Sequence, residues 1–252
     1  MADLGTLGGS FSEPEGINNR GQVVGNSSLK GDVGCNGSPM NCDAHAFLWE
    51  HGSLMDLGTL GGSFALAKGV NESGEIVGAA TNQGDQALRA FVWKKGVMTD
   101  LGALQGDDCS IANGINARGQ IVGTSFSCAV GSENAALWEN GSAISLNSFV
   151  PPESDLHLTG DDMYINDRGE IAGTAIRPNG DVRAFVLVPC GEGTEGCREG
   201  SELAVASSQS EGASLNSARS LQSGETFKNV VAAWRVRLSQ RYRISGLGAP
   251  RN

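Results

Sequence analysis

The chain is short of the residues that most enzymes and cofactor sites lean on. Aromatic residues make up only 6% of it, with two tyrosines and four tryptophans. That leaves little material for a sugar-stacking platform. Three histidines (His45, His51 and His157) are scattered, and no Cys-x-x-Cys pair occurs, so a structural zinc site is not expected. No P-loop, Gly-x-Ser-x-Gly or His-Glu-x-x-His motif is present. No apolar run reaches membrane-spanning length. Positive charge is also in deficit: the formal net charge is −10, the acid excess lies in residues 1–198, and residues 199–252 are net basic. An acidic body argues against nucleic acid as a partner.

Glycine, by contrast, is abundant at 37 residues and falls at fixed places in a repeating cassette. The cassette is clearest at Asp56: DLGTLGGSF, then GVNESGEIVG, then RAFVW and VMTDLG. Four copies of its first hairpin read GINNRGQVVG (16–25), GVNESGEIVG (69–78), GINARGQIVG (114–123) and YINDRGEIAG (164–173). Each has Asn, two residues, then Gly, the chemistry of a tight β-turn with glycine in its left-handed position. A later strand reads AFLW, AFVW, AALW and AFVL, starting at Ala46, Ala90, Ala135 and Ala184. A glycine turn and a short strand ending in Leu57, Leu101 or Leu146 complete the first three copies. Each unit therefore reads as a four-stranded antiparallel meander.

These strands do not alternate apolar and polar; Val23-Val24, Ile76-Val77, Ile121-Val122 and the AF-W runs are continuously apolar. Such strands are buried on both faces. Small sheets stacked face to face bury them so, and the expected fold is all-β, a four-bladed repeat β-propeller over residues 1–189. The fourth copy lacks its last strand, because Pro189 and Cys190 follow AFVLV. The orphan DLG at Asp3–Gly5 is expected to fill that place and close the ring. Residues 190–224 read as a Gly/Ser-rich linker. Residues 225–252 read as a helical tail, apolar at Phe227, Val230, Val231, Trp234, Leu238 and Tyr242, and basic elsewhere.

DLGTLGGS, GIN-x-x-G-Q-V-V-G and HAFLW (45–49) together resemble the HAF repeat, over residues 3 to about 188. The resemblance implies an extracellular setting and carries no reaction with it. Only the first copy has the full His-Ala-Phe triplet; Arg89, Asn134 and Arg183 replace its histidine elsewhere. The six cysteines fall in local pairs: Cys35 with Cys42, Cys109 with Cys128, and Cys190 with Cys197. They read as disulfides in an extracellular or periplasmic protein, with free or metal-binding thiols the other reading. Around the Asn116–Gly119 turn, strand register puts Cys109 and Cys128 within a bulge of facing each other. Cys35 and Cys42 would tie off the longest loop. No signal peptide is visible, and Met1-Ala2 falls on a repeat boundary, as expected of a trimmed chain or gene fragment.

Length variation locates the candidate site. The span Gly25–Ala46 is far longer than Gly78–Ala90, Gly123–Ala135 or Gly173–Ala184, and Leu146–Tyr164 exceeds Leu4–Gly16, Leu57–Gly69 and Leu101–Gly114. All these spans lie at one end of the meanders, opposite the tight turns. That loop face is acidic, and its candidate binding residues are Asp107, Asp108, Asp155, Asp161 and Asp162, with His45. Solvation of an acidic surface explains the pattern more simply than a calcium site, and neither catalytic residues nor metal ligands are assigned. The expected function is a non-enzymatic extracytoplasmic module binding a protein or glycan through this face. The alternatives are a glycan-acting hydrolase, whose two carboxylates the loops would supply, and a structural unit of a larger assembly. Oligomeric state is left open.

Overall fold

The computed structural model describes residues 3–31, 43–129, 133–151 and 153–189. The linker and the helical tail lie outside the described residues. So do two of the three expected disulfides, the one between Cys35 and Cys42 and the one between Cys190 and Cys197. Of the cysteine pairs, the described residues contain Cys109 and Cys128 alone. What is described is all-β: four four-stranded antiparallel sheets, with helix confined to 3-10 turns at Gln83–Asp85 and Leu146–Phe149.

The first sheet is a meander of β1 (Gly8–Ile17), β2 (Val23–Leu29), β3 (Ala44–Glu50) and β4 (Ser53–Asp56). The second repeats it with β5 (Gly61–Val70), β6 (Ile76–Asn82), β7 (Leu88–Lys94) and β8 (Val97–Asp100). The third does so with β9 (Cys109–Ile115), β10 (Ile121–Phe126), β11 (Asn134–Glu139) and β12 (Ser142–Ser145). In the fourth, β13 (His157–Leu158) and β14 (Tyr164–Ile165) share one edge of β15 (Ile171–Ile176), and β16 (Val182–Leu187) takes the other.

Each of the first three sheets carries a bulge in its first strand, between Pro14 and Gly16, Ala67 and Gly69, and Ala112 and Gly114. The bulge turns a carbonyl toward the second strand, against a glycine. A Cβ added at Gly25, Gly78 or Gly123 would overlap the carbonyl oxygen of Glu13, Leu66 or Ile111. The last glycine of the GQVVG pattern is therefore a packing requirement, independent of any turn.

The sheets stack in chain order, with a core between each neighbouring pair. Val24, Ala46 and Leu48 meet Ala65, Ala67, Phe91 and Trp93. Val77, Ala90 and Val92 meet Ala112, Ile121, Ala136 and Trp138, and Phe64 and Leu66 meet Cys109, Ile111 and Phe126. Val122, Ala135 and Leu137 meet Leu158, Met163, Ile171 and Ala175. The continuous apolar runs are thus explained in the middle sheets, where both faces are covered.

Two expectations are corrected. Asp3–Gly5 adds no strand to the fourth sheet; it is a coil in which Gly5 N donates to Asp3 Oδ1 (2.9 Å) and Gly5 O accepts from Ser12 Oγ (2.8 Å). Among the described residues no strand pairs with the outer edge of β16. The AFVL run is also not buried on both faces: Phe185 and Leu187 turn toward the third sheet, while Val186 is exposed.

Candidate functional site

The tight-turn end is built from the four Asn-x-x-Gly turns, and their asparagines do more than turn the chain. Asn18, Asn71, Asn116 and Asn166 each accept, through Oδ1, the backbone N–H groups two and four residues on. The first three are buried, and each donates from Nδ2 to the backbone carbonyl of the next in the series: Asn18 to Asn71 (2.9 Å), Asn71 to Asn116 (3.1 Å), Asn116 to Asn166 (3.0 Å). A staircase of side chains thereby ties each sheet to the next.

A second polar chain runs outward from each asparagine. Asn18 Nδ2 donates to Gln22 Oε1 (2.6 Å), and Gln22 Nε2 to Glu50 Oε1 (3.0 Å). In the third sheet Asn116, Gln120 and Glu139 repeat it at 2.7 Å for both bonds. In the second, Glu75 replaces the glutamine and Lys94 the glutamate: Asn71 Nδ2 donates to Glu75 Oε2 (2.8 Å), and Lys94 Nζ lies 2.9 Å from Glu75 Oε1. In these three sheets the two positions change together, so that a donor meets an acceptor; in the fourth copy they are Glu170 and Val188. Burial pushes the Glu75 carboxyl upward, but Lys94 and Asn71 outweigh it and hold Glu75 below the usual range. A cleft of about 570 Å³ opens here between the second and third sheets, lined by Glu75, Lys94, Arg118, Trp138 and Glu139 among others. Trp138 Nε1 is buried beside it, without a hydrogen-bond partner among the described residues.

The candidate residues lie at the other end and divide among three joints. His45, the second residue of β3, is held by Asp56, with Nδ1 2.9 Å from both carboxylate oxygens. In the second sheet Arg89 Nε reaches Asp100 in the same manner, at 3.2 Å to each oxygen. Asp56 and Asp100 also cap the following turn by accepting from Gly58 N (2.8 Å) and Gly102 N (2.7 Å). The histidine of the triplet is thus one of two side chains, with Arg89, that pin the DLG turn through its aspartate. In the third sheet both partners change, to Asn134 and Ser145.

Asp107 and Asp108 sit together at the joint between the second and third sheets. Asp107 Oδ2 accepts from Ser125 Oγ (2.8 Å) and Asp108 Oδ1 from Cys128 N (2.6 Å). Cys109 and Cys128 are paired at disulfide distance, with Cα atoms 5.3 Å apart. Cys109 faces Phe126 in the ladder, and Cys128 lies two residues beyond. Asp108 with the Cys109 and Cys128 sulfurs is the one grouping of potential metal ligands among the described residues. Sulfurs bonded to each other offer no thiolate, so one carboxylate remains.

At the third joint Asp155 pairs with Arg177 Nε (3.3 Å), and His157 Nε2 lies 2.9 Å from the Glu133 carbonyl. Asp161 and Asp162 begin the short path into β14, and Asp162 adopts a left-handed φ of 49°. The sequence had signalled these loops by their length. It had not signalled the Asn staircase or the Gln/Glu–Glu/Lys exchange, although covariation of the residue after the turn glycine with the residue after AF-W was there to be read.

Comparison with protein-family models and with curated proteins finds no match to this chain.

Proposed function

We propose that this chain is a non-enzymatic extracytoplasmic binding module of the HAF-repeat type, a propeller-like stack of blades that engages a protein or glycan through its variable-loop end. The observation that carries the reading is the contrast between the two ends. At the turn end, the same hydrogen bonds recur from sheet to sheet and satisfy one another, which is how a scaffold is built. At the loop end, a shared clamp on the DLG turn (His45–Asp56, Arg89–Asp100) is overlaid by features that each occur once: the Asp107–Asp108 pair beside Cys109 and Cys128, and the Asp155–Arg177 pair. Diversity on a rigid frame is the arrangement by which loops recognise partners. The Cys109–Cys128 pair supports an oxidising compartment. No helix of the described residues is long and apolar enough to cross a membrane.

The test is a glycan array and a basic-peptide array probed with the full chain, its Asp108→Asn/Asp155→Asn variant and its Glu75→Gln/Lys94→Met variant. Ligand capture lost in the first variant and kept in the second is expected. Loss confined to the second would move the site to the turn-end cleft. Turnover in a broad hydrolase screen, abolished by the loop substitutions, would replace the binding reading with the glycan-hydrolase one.

A further inference from the structure

The two end sheets of the stack carry the two halves of one joint. At each internal joint an apolar residue of the later sheet packs into the core made with the sheet before it: Val70 at the first, Ile115 at the second, Ile165 at the third. In the first sheet that position is Ile17, which is 70% exposed. In the fourth sheet the row that would receive it is Tyr164–Ala172–Val186, with Val182 on the same face. Val182 and Val186 are 59% and 63% exposed. Apolar side chains suited to a single sheet-to-sheet core thus stand open at opposite ends of the stack.

The polar bonds of the joint are divided in the same way. Asn18, Asn71 and Asn116 each donate from Nδ2 twice, to the side chain four residues on and to the carbonyl of the next sheet. Asn166 Nδ2 donates to Glu170 Oε2 (2.6 Å) and to no further sheet among the described residues. At the other end, the Asn18 carbonyl accepts from Gly21 N, while those of Asn71 and Asn116 accept from their own turn and from the preceding asparagine as well. The loop end repeats the division. Asp3-Leu4-Gly5 already forms the DLG turn: Gly5 N donates to Asp3 Oδ1 (2.9 Å) and Ser12 Oγ to Gly5 O (2.8 Å), as Gly102 N does to Asp100 Oδ1 (2.7 Å) and Ser110 Oγ to Gly102 O (2.7 Å). Among the described residues it lacks the clamp that His45 and Arg89 supply to Asp56 and Asp100. The fourth sheet holds Arg183 at the clamp position, half exposed and paired with Asp181 (2.7 Å).

We propose that these halves meet between molecules: the first sheet of one copy stacks on the fourth sheet of another, continuing the chain's own stack head to tail. Ile17 of the one packs on Ala172 and Val186 of the other, and Asn166 donates to the Asn18 carbonyl. Arg183 exchanges its exposed partner Asp181 for Asp3, one surface ion pair for another. The Leu4 N–H meets the Ala184 carbonyl, as the Leu57 and Leu101 N–H groups meet those of Ala46 and Ala90 at 3.0 and 2.9 Å. A second copy is the occupant because the three internal joints already show this kind of face receiving this kind of sheet, bond for bond. Tyr164 is the one departure, standing where Gly16, Gly69 and Gly114 stand. A Cβ at Gly69 or Gly114 would lie 3.5 Å from Asn113 O or 3.4 Å from Met163 O, an ordinary contact, so the stacking admits the Tyr164 Cβ and leaves its ring at the inner rim of the joint. Contact between unlike faces closes into a ring or continues as a filament.

Light scattering on the full chain over a range of concentrations tests this. The molar mass of the parent is expected to climb with concentration from 26.0 kDa through multiples of it. Ile17→Arg and Val186→Arg each place a charge in the joint at a residue exposed in the single molecule. Each should weaken association at least about tenfold, with the melting temperature unchanged. Mixed in equal amounts, the two variants keep one intact end each and should pair at a doubled mass. Should Val186→Arg lower the melting temperature, Val182→Arg on the same face is read instead. A parent chain that stays at 26.0 kDa overturns the proposal. So does association that survives Ile17→Arg, the mark of two fourth sheets packed on each other, and so does a mixture that remains monomeric.

Discussion

Asn71 shows how much one side chain of the repeat carries. From a site 5% exposed it bonds two backbone N–H groups of its own turn, Glu75, and the carbonyl of Asn116 in the next sheet. Asn71→Ala leaves these groups unpaired in a buried place and should cost about 2 to 3 kcal/mol in denaturant unfolding. Asn166→Ala, exposed and without an inter-sheet bond, should cost about 1 kcal/mol or less. Equal losses would mean that the staircase adds nothing beyond the turn. Carboxylates make a second, opposed pair. Burial raises Glu13 above its ordinary 4.5, against the Asn26 bond, with Glu15 adding to the rise and Lys68 opposing it. Its folded state holds the proton more tightly, so its contribution to stability is present below pH 4.5 and lost as pH rises through the folded value. Glu13→Gln should therefore raise the melting temperature at pH 7, with the gain vanishing near pH 4. Glu75 is lowered, so its contribution is present above 4.5 and lost as pH falls through its folded value. Lys94→Met should remove that acid-side loss together with the stability itself, as pH-resolved melting curves will show.

At the scale of the element, the bulged first strand governs what the meander tolerates. Gly78→Ala drives a methyl group into the Leu66 carbonyl, inside a sheet covered on both faces, and should cost about 3 kcal/mol or more. Gly96→Ala meets open space and suffers only the strain of φ +88°, about 1 kcal/mol. Chemical denaturation of the two variants separates packing from backbone strain; equal effects would show that the bulge contact is relieved by small shifts. The Cys109–Cys128 link spans a separation of 19 residues and should contribute about 3 kcal/mol, read as a fall in melting temperature under reductant that Cys109→Ser/Cys128→Ser reproduces. Such elements are legible from sequence because their determinants are local. The turn, the strand lengths and the cysteine register all follow from residues within one period. His45 was legible only as a residue type. Its role needs Asp56 across the β3–β4 pair, and the parallel pair Arg89–Asp100 shows that either side chain serves.

For the whole molecule, the four sheets form a stack in chain order with three described cores, and the N-terminal DLG does not join its last member. Removing residues 1–5 should accordingly leave the melting temperature within about 2 °C of the parent; a marked drop would restore ring closure through Asp3–Gly5. The amino-acid sequence by itself determined the all-β class, the three complete meanders, the four Asn-x-x-Gly turns and the Cys109–Cys128 register, because hydrophobic runs, turn glycines and strand spacing act over a few residues at a time. Only the tertiary structure decided which faces are covered. The rows Gly16–Val24–Leu48, Gly69–Val77–Val92 and Gly114–Val122–Leu137 of the first three sheets and the row Tyr164–Ala172–Val186 of the fourth look alike as apolar patterns, but burial depends on what lies on top. It also decided that the repeated asparagines strap one sheet to the next, since a side-chain amide chooses its carbonyl across a distance of 45 to 53 residues that no local pattern encodes.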